Sequence, residues 1–407
     1  MNIFLLGNGF DLHHDFPTAY INFLNTVKFL KGNYNDSIKT IGDVFGNETL
    51  QTIDLVIKRC YQKHSSIYDD IVLEKENIQS LIDNAAKNKW FKYFSDCFNK
   101  DIGWIDFEQE IARVIDAFRS FLINARGHFS IDGDKLFFDL SKYPKGNEER
   151  YIIQHFDFFY EIGNTTPNVF SLEKAIMKSE YIYDYPLGAK SFHFNDERIV
   201  SQLHGELMQF SQLLKEYIRT FIDLPALEMK SRGIAPHCAS YPSAQHVLTF
   251  NYTKTYQLFY NNANVHHIHG DVSTNIILGV NPDNFDNIGD IDTTFVKFKK
   301  YYQRIFHKLD RGYVTKKQAL KITNKTDVGN VLYVIGHSLD ETDKDVIKDL
   351  FEISRNIFVL YHDEIALGRY ITNLIKIYGK DEFDNLRVAK KLEFLPQAKM
   401  EWKGDEV

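Results

Sequence analysis

The first eighteen residues, MNIFLLGNGFDLHHDFPT, constrain the fold more than any other stretch. Ile3 to Leu6 is an unbroken apolar run, as expected of a strand buried on both faces. Gly7, Asn8 and Gly9 follow at once, and a helical pattern is expected from near Thr18. A buried strand that breaks into a glycine turn and then a helix is a recurrent way to hold a nucleotide phosphate. Glycine lets the backbone approach the anion, and free N–H groups near the helix start point at it. Gly7, Asn8, Gly9 and Phe10 are therefore candidate nucleotide contacts. Asp11 would repel a phosphate, so capping the helix or bonding a ribose hydroxyl is its expected part. A strand that begins at residue 2 leads to the expectation that no secretory signal precedes it.

The 407 residues suffice for a large core and two structural regions. A hydrophobic fraction of 44% marks a globular chain. No apolar stretch approaches the roughly 20 residues of a membrane helix, so no membrane contact is expected. The formal charge of −7 argues against broad affinity for nucleic acid or anionic lipid. Cys60, Cys97 and Cys238 lie far apart with no C-x-x-C pair, which suggests neither a disulfide framework nor a zinc ribbon. A reducing, cytoplasmic setting is the expectation.

Strand-like runs fall at Ile3–Leu6, His246–Phe250, Val265–Ile268, Ile276–Val280, Val331–Ile335 and Ile357–Tyr361, with helical patterns between the late ones. That order predicts an α/β fold, a Rossmann-like, doubly wound and mostly parallel sheet. It would be built from residues 1–20 and 241–407, with a large α-helical insertion over 21–240. Within the insertion, Phe107, Ile111, Val114, Ile115, Phe118 and Leu122 form one apolar face, with Gly127 as a stop. Ile199, Leu203, Leu207, Phe210, Leu214, Tyr217 and Phe221 form another, which Pro225 is expected to end. Residues 128–195 are less regular and suit loops or a small hairpin.

Ligands of open α/β sheets bind at the carboxyl ends of the strands, and the polar motifs fall there. In LTFNYTKT, Asn251 follows an apolar run, where it would bond a sugar hydroxyl, orient a water or close the strand, and Thr253 would cap a helix. In VHHIHGDV, strand alternation would put His267, His269 and Asp271 on one face. His269, next to Gly270 at the strand end, is suited to general acid–base work near neutral pH. In VIGHSLDETDKDV, Gly336 is the turn, and His337, Ser338 and the nearby backbone are candidate nucleotide contacts. Thr342 and Asp345 resemble a capping box there. In WIDFEQE, Asp106 reads as a helix cap. Basic residues and tyrosines interleave over Lys297–Lys325, a pattern compatible with single-stranded nucleic acid but more often a solvated face.

GNGFDL with FPT, W-x-D-F-E, TFNYT, HIHG and IGHSLDETD occur in an order that resembles the bacterial abortive-infection family AbiH, implicated in defence against phage. Asp15 stands where that family usually has glycine before the Pro-Thr step, which puts a tight turn in doubt. The family is in turn distantly similar to sirtuin-type NAD-consuming domains. That resemblance implies a phosphate loop at Gly7, Asn8 and Gly9, a ribose-side Asn251, a base at His269, and an adenosine-side turn at Gly336 and Ser338. The zinc cysteines of deacetylating sirtuins are absent, as is the arginine after the proline, so hydrolysis of NAD is implied rather than deacetylation.

Three functions follow as expectations. The first is an antiphage effector that binds and hydrolyses a nucleotide such as NAD through His269 and Asn251, without zinc, and answers to a phage-derived trigger. The second is a metal-dependent phosphohydrolase or nuclease using Asp11, His13, His14, Asp15, His267, His269 and Asp271. The third is a non-catalytic module that senses a nucleotide and binds a protein partner, or assembles as an oligomer.

Overall fold

The computed structural model describes residues 1–100, 106–125, 129–132, 135–139, 147–160, 174–183, 192–234, 241, 243–260, 264–280, 293–309, 317–318, 320 and 329–397. The chain divides into two compact units. Residues 1–86, 211–281 and 300–407 form the first, and 87–210 with 282–299 form the second.

The first unit is built on six parallel strands: β1 (Asn2–Leu6), β2 (His246–Thr249), β3 (Val265–His267), β4 (Val331–Ile335), β5 (Asn356–Tyr361) and β6 (Leu392–Pro396). They lie in the order β6-β5-β4-β1-β2-β3, which is the Rossmann strand order. The α/β expectation of a parallel, Rossmann-like sheet therefore holds. The strands β1, β4 and β5 are almost wholly apolar, as strands covered on both faces are. Ile3 and Leu5 of β1 pack with Leu332, Val334, Ile357 and Val359, and with Val346, Ile347 and Leu350 of the helix Lys344–Glu352. Phe4 and Leu6 point the other way, to Phe10, Val247, Tyr256 and Tyr333.

Register brings the strand ends level. Leu6 pairs with Ile335 on one side and Thr249 on the other, and Thr249 pairs with His267. The turns that follow β1, β2, β3 and β4 thus leave the sheet side by side.

Ile276–Val280 is fully buried but is not a strand of the sheet. Its polar backbone is satisfied by other partners, as burial demands. Ile277 N–H donates to His269 O, Tyr252 Oη–H to Ile277 O, Gln303 Nε2 to Leu278 O, and Lys300 N–H to Val280 O. The apolar run reflects burial, which a sheet strand and a buried loop share. The strand β6 has no counterpart among the expected strands, because Glu393 interrupts its apolar run.

The helix expected near Thr18 is present, and an unexpected short one precedes it. A short helix, Asn8–His13, follows Gly7 directly, and a second, Tyr20–Asn33, comes after the turn. That turn is tight: Asp15 has φ 59°, the left-handed conformation that glycine would take without strain. Its carboxylate is held by Lys63 at 2.9 Å and faces Arg59 at 3.7 Å. Pro225 does not end its helix either. Asp196–Ile218 passes through a π-helical turn, Arg219–Asp223, into Leu224–Ser231. Pro225 stands at the start of that last segment, where its missing N–H is least costly.

In the second unit Asp106 caps the helix Phe107–Asn124, accepting from Glu108 N–H at 2.9 Å. The expected stop Gly127 lies outside the described residues. Phe94 stacks on Phe107 at 4.3 Å and meets Phe210 at 4.9 Å. The irregular region contains an antiparallel hairpin, Phe129–Asp132 with Lys135–Asp139.

Gly336 has φ +66°, and a Cβ there would overlap the Phe10 amide nitrogen. Gly368, in the helix Glu364–Tyr378, has open space around it. Gly336→Ala is expected to destabilise by about 3 kcal/mol or more, and Gly368→Ala to stabilise by about 0.5–1 kcal/mol. Urea denaturation reads both, and equal midpoints for the two variants would refute the assigned roles.

Candidate functional site

At the end of β1 the glycines serve close approach. A Cβ on Gly7 would stand 2.5 Å from His337 Cα, and one on Gly9 would stand 2.8 Å from Gly336 Cα. The two turns also bond to each other: Gly7 N–H to Ile335 O at 3.1 Å and Gly9 N–H to Gly336 O at 2.8 Å. Phe10 N–H donates to Gly7 O at 2.9 Å. The amides of Gly9 and Phe10 are thus engaged within the protein. Asn8 and Ser338 are the exposed residues of the two turns. Asn8 Oδ1 accepts from Thr18 Oγ1 at 2.6 Å. Phe10 is buried against His14, whose ring nitrogens face Phe10 O at 2.6 Å and Tyr260 Oη at 2.7 Å.

Asn251 ties β2 to β1, its Nδ2 donating to Gly7 O at 3.0 Å. Thr253 does not cap the next helix through its hydroxyl, which donates to Asp11 Oδ2 at 2.6 Å. Asp11 lies inside its helix, 1% exposed, and its Oδ1 has no partner among the described residues. Burial pushes its carboxyl up to about 6, against hydroxyl and amide bonds that favour the ion. Asp223, in the π-helical turn, is likewise pushed up to about 7 by burial. Asp11 is not the cap of its helix, which starts from Gly7.

The histidine motif departs from strand alternation, because β3 ends at His267 and Gly270 turns the chain at φ +77°. His267 bonds sideways, Nδ1 to Asn251 O at 2.8 Å and Nε2 with Gln257 Nε2 at 2.6 Å. Asp271 stays in its own loop, with Oδ1 accepting from Ser273 and Thr274. Lys215 donates to Thr274 O and Arg219 to Val272 O, both at 2.6 Å, so two cations pin the loop after His269. His267, His269 and Asp271 do not share a face.

His269 instead turns inward, 3% exposed, to a cluster that was not visible in the motifs. Its Nε2 lies 3.4 Å from Asp343 Oδ1, without hydrogen-bond geometry. The same oxygen accepts from the buried Lys300 ammonium at 2.7 Å. Asp343 Oδ2 lies 3.5 Å from His337 Nε2. His337 Nδ1 accepts from Leu339 N–H at 2.9 Å, so its proton is on Nε2, facing the carboxylate. Phe250 lies against both rings, at 4.8 Å from His269 and 4.3 Å from His337. Burial alone would raise the Asp343 pKa, but the Lys300 ammonium and both imidazoles hold it well below the carboxylate range. Burial, then the Lys300 charge, keeps His269 neutral, with Asp343 opposing and Arg304 and His337 adding to the shift.

Asp343 was missed because the motif read as a capping box. In the structure Asp340 caps the turn, accepting from Thr342 N–H at 3.0 Å, and Asp345 pairs with Arg304. Of the basic segment, Lys299, Lys300 and Arg304 are buried and Lys317 pairs with Asp349. Arg311, Lys316, Lys321 and Lys325 lie outside the described residues. The solvated basic face expected there is not formed by the buried three.

Among the described residues, no group of three or more His, Cys, Asp or Glu is arranged to hold a metal ion. The ligand types noted in sequence have separate partners: Asp15 the cations Arg59 and Lys63, His14 the Phe10 carbonyl and Tyr260, His267 the Asn251 carbonyl and Gln257. No described helix is long and apolar enough to cross a membrane.

The folded carboxyl of Asp11 keeps its proton up to about pH 6, whereas the unfolded one releases it near 3.8. The stability this contributes is full below about pH 4 and is lost as pH rises through 6. Asp11→Asn is expected to match the wild type near pH 4 and to exceed it by about 3 kcal/mol at pH 7.5. Urea denaturation at both pH values measures this, and curves that stay parallel would mean that Asp11 is ionised in the fold.

The family model described as bacteriophage abortive infection AbiH matches residues 3–361. No curated protein and no solved structure gives a significant match. The matched span carries the strand-end turns and the whole His269–Asp343–His337 cluster, and the chain belongs to the AbiH family of abortive infection proteins.

Proposed function

We propose that the protein acts in abortive infection by hydrolysing a nucleotide of the NAD class at the carboxyl ends of β1, β2, β3 and β4. The observation that carries this reading is convergence. Gly7, Asn251, His269 and His337 follow four different strands at the switch point of a Rossmann-order sheet: Asn251 bonds Gly7, Gly7 abuts His337, and His337 and His269 face one carboxylate that also holds the Lys300 ammonium. Such a switch point is where open α/β sheets take their ligands.

In this reading His269 is the proton acceptor and Asp343 its positioning residue. Asp343 faces Nε2, which leaves Nδ1 as the reacting nitrogen, the logic of a carboxylate-oriented histidine. Water attacks the ribose carbon, the bond to nicotinamide breaks with its electron pair leaving on the ring, and the water proton passes to His269. Asn251 has its amide nitrogen engaged with Gly7 O, so its Oδ1 is the atom for a ribose hydroxyl or the water. Since the Gly9 and Phe10 amides donate internally, the phosphates would meet the exposed Asn8 and Ser338. The burial of His269, 3% exposed, favours a second reading, a nucleotide sensor without turnover.

Mass spectrometry of the protein incubated with NAD tests both readings. Nicotinamide and ADP-ribose are expected from the wild type, with turnover at least about a hundredfold lower in His269→Ala. Full turnover in that variant would remove His269 from the mechanism. NAD that raises the melting temperature and is not consumed would favour the sensor.

A further inference from the structure

The helix Lys300–Phe306 buries only polar side chains: Lys300, Gln303 and Arg304. Its Ile305 and Phe306 are 59% and 66% exposed. Its apolar contribution, the usual adhesive of a helix, is limited to the half-buried Tyr301 and Tyr302. It is attached instead by two ion pairs to one neighbouring segment, Lys300 to Asp343 and Arg304 to Asp345, and by Lys300 N–H to Val280 O and Gln303 Nε2 to Leu278 O.

The first of those pairs sits in the candidate site. Lys300 Nζ and His269 Nε2 face the same oxygen, Asp343 Oδ1, at 2.7 and 3.4 Å. The ammonium has the hydrogen bond and the imidazole does not. A histidine beside an ammonium, with its carboxylate engaged elsewhere, is a weak base. The same histidine with that carboxylate to itself is a strong one, since the anion stabilises the imidazolium.

We infer that Lys300 is an inhibitory latch: docked, its ammonium keeps Asp343 from His269, and release of the helix Lys300–Phe306 hands the carboxylate to His269. The inference rests on the proposed role of His269. It supplies what an abortive infection effector of that kind needs, a site complete in its residues whose turnover stays low until something lifts one helix. Of the groups facing His269, Lys300, Arg304 and His337 oppose its protonation and Asp343 favours it. Lifting the helix removes both cations and leaves the anion.

The test contains no nucleotide. In the full-length protein with 15N-labelled histidine, the ring signals of His269, assigned by their loss in His269→Gln, are followed from pH 5.5 to 8. The wild type and Lys300→Arg are expected to stay neutral throughout. Lys300→Met is expected to titrate in that window, its midpoint raised by at least about one pH unit. Lys300→Met with His269 still neutral at pH 5.5 overturns the latch. Hydrogen exchange on the wild type stands apart from any folding defect of the variant. The amides of 301–306 should exchange at least about tenfold faster than those of β1 and β4, by local opening. Exchange of that helix only at the rate of the strands would overturn the latch as well. Turnover of NAD bears on the other reading alone: a Lys300→Met protein whose His269 titrates but which leaves NAD intact keeps the latch and removes the NAD hydrolase.

Discussion

The structure depends on a steric condition between two turns. The backbone after β1 and the backbone after β4 lie so close that neither Gly7, Gly9 nor Gly336 has room for a Cβ. Two hydrogen bonds then join the turns, so the ends of β1 and β4 are tied to each other by main chain. That contact sets the position of His337 against Gly7, and through Asn251 it also sets the end of β2. The polar cluster is assembled on this junction. Its residues come from separate parts of the chain, and their common reference is the level ending of the strands.

A second condition is electrical. Asp343 and Lys300 are both buried, and either alone would be strongly unfavourable in a low-dielectric interior. Together they make a neutral pair with two imidazoles around it. Replacement by apolar residues of similar volume would often be no less stable. Retaining ions at such a place suits a role in specificity or chemistry better than one in holding the fold together.

Much of the sheet was legible because buried parallel strands read as apolar runs, and Ile3–Leu6, Val331–Ile335 and Ile357–Tyr361 are of that kind. Ile276–Val280 has the same composition and is equally buried, but side chains and a helix satisfy its backbone, which no local pattern reveals. His269 stands out in sequence for its place beside Gly270, but alternation stops before it: the strand ends at His267 and His269 lies in the turn closed by Gly270 N–H on His267 O. Asp343 was hidden because its partner Lys300 is distant in sequence and lay within an apparent surface-basic stretch. The turn at Asp15 was doubted for want of glycine. It forms because aspartate tolerates the left-handed region and two cations hold its carboxylate.

The position of β1 has a consequence for how the molecule comes into being. The strand made first is the middle of the sheet, and its neighbours are β2 and β4, which arise more than two hundred residues later. A ribosome delivers β1 well before either partner exists, and pairing between such distant segments is slow because long loops must close first. The cluster around Asp343 completes only once β4 and the turn after it have been made. Until then the nascent chain carries His269 and Lys300 without the carboxylate that both face. The interval before β4 is made, when β1 lacks one of its two neighbours, is when the chain is most exposed to aggregation.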